Sequence, residues 1–228
     1  MATTLFDSIL NFKVTDDLPF MDYKYPLFGA LGYLFVMYGL KHLIHLSTGK
    51  SVDPKHKSGA VVRFFTQVHN IIMIALSFTM FIGVIHGAYV RVMFTEANGS
   101  IFRGLFCPKD VAPGEEPVAL NGPIGFWIYV FHLSKYYELF DTLLLVIKRK
   151  QLIFLHVYHH SAMVVCTWLW LHDRWLIGAW WGVLVNSLVH TFMYYYYYIA
   201  ANGRTVSWKS IMTAGQIIQL WSGFLLVC

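Results

Sequence analysis

Six stretches of this chain run apolar for about the 20 residues that a helix needs to cross a hydrocarbon layer. They fall at roughly 26–46, 65–90, 123–147, 152–172, 175–200 and 207–228. "KRKQ" joins the third to the fourth and "DR" the fourth to the fifth, so these neighbours are expected to run antiparallel. The one long polar connection is 91–122. With 57% hydrophobic and 13% charged residues, the composition points to an integral membrane protein and away from a soluble domain. The expected fold is all-α, a polytopic transmembrane bundle of six spans that occupies 1–228 as a single domain. The net charge of +5 is spread over short loops, so it speaks to topology and not to nucleic acid.

Lysine and arginine set the orientation. One side collects Lys50, Lys55, Lys57 and Arg63, then Lys148, Arg149 and Lys150, then Arg204 and Lys209. On the other, Lys13, Lys24, Arg91, Arg103, Lys109 and Arg174 are diluted by Asp7, Asp16, Asp17, Asp22, Asp110, Glu115 and Glu116. The first side is therefore expected to be cytosolic, with the N-terminus and the 91–122 loop in a lumen. Residues 1–25 have no continuous apolar core, and no cleavable signal peptide is expected. The "NGS" at Asn98 is a glycosylation sequon on the lumenal side. Cys107, in the same loop, is read equally as a disulfide partner or a free thiol.

An ionisable side chain deep in a membrane costs about 2.5–3.5 kcal/mol, so each one asks for a reason. In "SKYYELFDT", Lys135, Glu138 and Asp141 step by three and share a helical stripe with Thr142. In "FLHVYHHSAM", His156, His159 and His160 point into one quadrant. In "NSLVHTFMYYYYY", Asn186, His190 and Tyr194 follow at fours, with Tyr197 beside them; Tyr195, Tyr196 and Tyr198 suit an interfacial belt. In "TAGQIIQ", Thr213, Gln216 and Gln219 step by three. At 1.5 Å per residue, Asp141 lies about 9 Å and His190 about 15 Å from the cytosolic ends of their spans, and the other sets fall at similar depth. Helix glue scattered at random would not land in one half, whereas a single polar chamber opening to the cytosol does. His42, His45, His56 and His172 read as interfacial, and His69, His86 and His132 have no assigned role.

Three clustered imidazoles suit two chemistries. A di-iron oxidase, desaturase or hydroxylase needs several histidine clusters, and only one HxxHH is present. Acyl transfer needs one neutral imidazole to attack a thioester in a site that excludes water. The basic mouth of Lys148, Arg149, Lys150, Arg204 and Lys209 suits a phosphate-bearing carrier, although the orientation rule explains each cation singly. A polytopic transporter or receptor is the non-enzymatic reading.

Four ordered signatures narrow the choice: "KYYELFDT" fits KxxExxDT, "HVYHH" fits HxxHH, "HTFMYYYY" fits HxxMYxYY and "TAGQIIQ" fits TxxQxxQ. On these the chain resembles the ELO family of very-long-chain fatty acid elongases, the 3-oxoacyl-CoA synthases of the endoplasmic reticulum membrane. The likeness covers spans three to six closely and the N-terminal half only by topology. It implies an acyltransferase that condenses a long-chain acyl-CoA with malonyl-CoA to a 3-oxoacyl-CoA, carbon dioxide and CoA, with no cofactor or metal. It further implies that His159 takes the acyl group as an imidazole adduct, that His190 assists condensation, and that His156 and His160 orient the centre. By physical role, Glu138 and Asp141 are expected to hold imidazole N–H groups. Lys135 and Tyr197 are expected to meet substrate, and Asn186, Tyr194, Gln216 and Gln219 to donate to the enolate oxygen. Expected partners are membrane lipids, the other elongation-cycle enzymes and a second copy of the chain. Family members usually have seven spans and a lysine-rich tail. The sequence stops after the sixth, which raises the alternative of a shortened, inactive elongase that regulates full-length partners.

Overall fold

The computed structural model describes residues 4–50, 52–53, 56–94, 121–172 and 178–225. Asn98 and Cys107 lie outside the described residues, as do Lys55, Arg103, Lys109, Asp110, Glu115, Glu116 and Arg174 of the charge pattern. The described residues are all-α: α1 (Leu5–Leu10), α2 (Lys24–Thr48), α3 (Ala60–Phe94), α4 (Gly122–Ile147), α5 (Phe154–His172), α6 (Ala179–Ala201) and α7 (Lys209–Leu225). Helices α2 to α7 overlap the six apolar stretches in order. The main difference in bounds is α3, which begins at Ala60 and not near 65, so that Arg63 lies inside its first turn. A basic residue ends an apolar run without ending a helix, because arginine is a good helix former. By length and composition, α2 and the Ala60–Met93 part of α3 are apolar enough to cross a membrane. In α4, α5 and α6 the buried polar side chains of the motifs dilute the apolar run.

Local signals explain where the helices stop and turn. Helix α2 ends at Gly49, whose φ of 71° supplies the left-handed residue that lets its N–H reach back to the His45 carbonyl. Asn121 precedes α4, and Pro123 occupies its first turn, where no intrahelical donor is needed. The tight turn after α4 is pinned from outside: the Arg149 carbonyl accepts from the Asp53 N–H at 3.0 Å.

Helix α3 packs against α4 and, most extensively, α6. Its approach to α4 depends on "GVIHG", two glycines four residues apart on one face. A β-carbon at Gly87 would sit 2.9 Å from the Ile124 backbone nitrogen, and one at Gly83 would overlap the Trp127 ring.

The segment between α1 and α2 straps the end of the bundle remote from the Lys148 turn. Three successive carbonyls are captured by side chains: Pro19 by the Tyr129 hydroxyl at 3.0 Å, Phe20 by His132 Nε2 at 3.4 Å, and Met21 by Trp168 Nε1 at 2.6 Å. Val14 and Met21 of the strap itself are buried. They join a core of Met80, Val84, Ile128, Phe131, Leu171 and Val183. A second, smaller core of Tyr33, Met37, Val146 and Val157 closes the other end. Between the two lies a buried polar layer, and the candidate site is in it.

Candidate active site

The layer is built from α4 outward. Lys135 and Glu138, one turn apart, face inward and are each 2% exposed. Lys135 Nζ donates to Glu138 Oε1 at 2.6 Å and to Asn186 Oδ1 of α6 at 3.1 Å, and lies 3.9 Å from the centre of the Phe131 ring. The Ser134 hydroxyl also reaches Glu138, at 3.3 Å. His190 Nδ1 is 3.7 Å from the same carboxylate. Glu138 was expected to hold an imidazole N–H; His190 is near it, at a separation longer than a hydrogen bond. Lys135 and Asn186, read as substrate contacts, are hydrogen-bonded to each other. An ammonium this deep is tolerable because a carboxylate, an amide oxygen and an aromatic face surround it.

One turn further, Asp141 binds two other helices. Its Oδ1 lies 2.7 Å from His69 Nε2 of α3, and its Oδ2 accepts from the Tyr194 hydroxyl of α6 at 2.5 Å. Asp141 thus meets an imidazole, but one outside the HxxHH cluster. The cluster's own His156 pairs with Thr142, Nε2 to Oγ1 at 2.8 Å, and Tyr33 of α2 reaches the same hydroxyl at 2.9 Å.

The three imidazoles of α5 are brought together, with ring centres 4.3 Å apart for His156 and His160 and 5.8 Å for His159 and His160. His160 is buried and His159 half-buried. His159 lies within electrostatic range of Lys135, Glu138 and His190. Neither His159 nor His160 is hydrogen-bonded to a described side chain, which leaves their ring nitrogens open to another partner.

The remaining expected residues lie further out. Tyr197 touches the edge of Tyr194 but is 43% exposed. Gln216 is exposed, its amide 3.5 Å from the Met193 sulfur, and Gln219 is half-buried on α7. Tyr194 itself is fully buried, with its hydroxyl turned to Asp141. Residues that spacing did not single out also enter the layer: His69, Ser134 and Tyr33. His132, by contrast, belongs to the strapped end, where its Nδ1 meets the Thr167 hydroxyl at 2.9 Å.

Chemically, the arrangement offers a neutralised lysine–glutamate pair, an imidazole near that glutamate, and two imidazoles on α5 that hydrogen-bond to no described side chain. Such a set can accept an acyl group on nitrogen and stabilise negative charge on a neighbouring oxygen.

Comparison with known sequences adds descent to this geometry. The profile described as "ELO: GNS1/SUR4 family" matches residues 18–228. "Fatty acid elongase sre1" of Dictyostelium discoideum is 40% identical over 209 residues, covering 92% of this chain and 70% of the relative. "Fatty acid elongase A" of the same organism is 32% identical over 206 residues, covering 88% of this chain and 65% of the relative. "Very long chain fatty acid elongase 6" of Homo sapiens is 42% identical over 106 residues, covering 45% of this chain and 40% of that protein. The chain thus spans between 65% and 70% of the length of the two Dictyostelium relatives.

Proposed function

This chain belongs to the ELO family of the GNS1/SUR4 type, a family of fatty acid elongases, and we propose that it carries out the condensing step of elongation from within a membrane. The reaction joins a long-chain acyl-CoA to malonyl-CoA and yields a 3-oxoacyl-CoA two carbons longer, carbon dioxide and free CoA. The observation that carries this reading is the buried layer that joins Lys135, Glu138, Asn186 and His190, together with the three imidazoles gathered on α5.

In this mechanism a ring nitrogen of His159 attacks the thioester carbonyl. The carbon–sulfur bond breaks, CoA leaves as thiolate and takes up a proton, and the acyl group stays on the imidazole. Malonyl-CoA then loses carbon dioxide, and the electron pair of the broken carbon–carbon bond becomes an enolate. The enolate carbon attacks the acyl-imidazole carbonyl and releases His159. His190, beside Glu138, faces the enolate oxygen, while His156 and His160 orient the acceptor. The carbanion comes from decarboxylation, so the bond-forming step requires no metal. Burial serves the chemistry, because an acyl-imidazole persists only where water is excluded.

The membrane setting is supported by the outward faces of the helices. Phe28, Phe35, Leu46, Val61, Phe64 and Ile82 are all exposed, a surface that water would penalise and lipid accepts. We assign α2 to α7 as six crossings of the endoplasmic reticulum membrane, with the Lys148 turn cytosolic and the strap lumenal. The cations at that turn, with Arg204 and Lys209, would receive the CoA phosphates. Other enzymes of the elongation cycle, which consume the 3-oxoacyl-CoA, are the proposed partners, together with a second copy of the chain.

The test is incorporation of labelled malonyl-CoA into acyl chains by microsomes from elongase-deficient cells that express this chain. Incorporation by the wild type and its loss in His159→Ala are expected. Equal incorporation in both would remove His159 from the reaction, and none in either would refute the elongase reading.

A further inference from the structure

His69 projects from α3, a helix that carries none of the four motifs, yet it is tied into the polar layer as firmly as any motif residue. Its Nε2 meets Asp141 Oδ1 at 2.7 Å, and the other oxygen of that carboxylate accepts the Tyr194 hydroxyl. The Tyr194 ring stands edge-on between two imidazoles, its centre 6.0 Å from His69 and 5.6 Å from His190. We infer that His69 is a positioning residue of the reaction centre: through Asp141 it holds Tyr194, and through Tyr194 it fixes the imidazole of His190. This rests on the elongase reading, in which His190 serves the bond-forming step.

Three features favour a positioning role over packing alone. First, a single carboxylate joins α3, α4 and α6, one oxygen to each outer helix, so a shift of any of the three helices is felt by the other two. Second, a carboxylate that accepts from both sides fixes His69 with its proton on Nε2. The Nδ1 atom is buried and has no hydrogen-bond partner among the described residues. An apolar side chain would fill the same space without leaving a buried nitrogen unsatisfied, so this imidazole is retained for its one bond to Asp141. Third, the clamp is buried and closely packed. The His69 side chain is 1% exposed and packs on the Tyr137 and Phe140 rings at 5.1 and 5.4 Å, and Tyr194 is wholly buried. The Tyr194 hydroxyl is committed to Asp141, so its part in the chemistry is the placement of its ring against His190.

The role predicts a specific kinetic pattern. Loss of the clamp leaves Lys135, Glu138 and the α5 imidazoles in place, so binding of malonyl-CoA is retained while His190 loses its orientation. Initial rates of labelled malonyl-CoA incorporation would be measured for the full chain in detergent, per folded molecule by size-exclusion chromatography. The variants are His69→Leu, His69→Gln, Asp141→Asn and the His69→Leu/Asp141→Asn double. His69→Leu is expected to lower kcat roughly 10- to 100-fold, as displacement of a reacting group does, with KM within about twofold of wild type. His69→Gln keeps an N–H donor within reach of Asp141 and is expected to recover most of that loss. The double variant is expected to be no slower than the slower single, because both changes cut one linkage. Wild-type turnover per folded molecule in His69→Leu would overturn the inference. So would a glutamine variant as slow as the leucine variant, or losses that multiply in the double. A wild-type chain that incorporates no label would overturn the elongase reading, and this inference with it.

Discussion

Lys135 and Glu138 lie 2.6 Å apart with water excluded, a geometry in which removal of one partner does more harm than removal of both. An unpaired buried charge costs about 3–5 kcal/mol, whereas an apolar replacement of the pair is often neutral. Glu138→Gln is therefore expected to lower the thermal unfolding midpoint in detergent sharply, and Lys135→Met/Glu138→Leu to recover much of it without recovering turnover. A double variant as unstable as the single would show that the pair itself stabilises the fold. The common face of these two residues was legible in the sequence, because charges at a spacing of three share one stripe of a helix, but their pairing was not: Lys135 was expected to meet substrate and Glu138 an imidazole. Nor was the partner of Asp141. His69 is one of two imidazoles, 17 residues from His86, in a 35-residue helix, and no spacing tells which way such a helix is rotated about its axis. Only the packing of α3 on α4 and α6 turns His69 inward. The same uncertainty applies to Gln216, whose motif spacing is regular but whose side chain is exposed.

Helix α3 meets α4 at Gly87, where the obstacle to a side chain is backbone and cannot rotate away. Gly87→Ala is expected to destabilise by about 1–3 kcal/mol, the usual penalty for overpacking. Gly32 of α2 is the control: an added β-carbon there meets nothing within 4 Å. Gly32→Ala is expected to be neutral or to raise stability by up to about 1 kcal/mol through helix propensity. Thermal unfolding of both variants checks this, and equal midpoints would mean that the α3–α4 approach is not tight. The strap is the other device at this scale. His132→Leu/Trp168→Phe removes two of its three side-chain anchors, and limited proteolysis within 11–25 is expected to speed up. An unchanged cleavage rate would assign the hold to Val14 and Met21 instead. The strap escaped the sequence reading because it has no period: it is held by side chains reaching backbone carbonyls, and carbonyls carry no sequence signal.

Across the described residues, two apolar cores sandwich one polar layer, and many large apolar side chains face outward. The helices were readable in advance from the apolar runs, but the second core was not: the sequence reading expected the polar sets, Gln216 among them, to form one chamber open at the Lys148 end. Topology offers one check on the whole arrangement: Asn98→Gln is expected to abolish an endoglycosidase-sensitive mass shift, and a persistent shift would overturn the lumenal placement of its loop. The central claim is that the α5 imidazoles, gathered beside Glu138, accept the acyl group before the new carbon–carbon bond forms. The most direct measurement is mass spectrometry of the peptide containing "HVYHH" after the purified chain has met a long-chain acyl-CoA alone. The expected result is a mass gain of one acyl group on His159, lost on addition of malonyl-CoA as a 3-oxoacyl-CoA appears. An unmodified peptide in a preparation that still elongates acyl-CoA would contradict the claim.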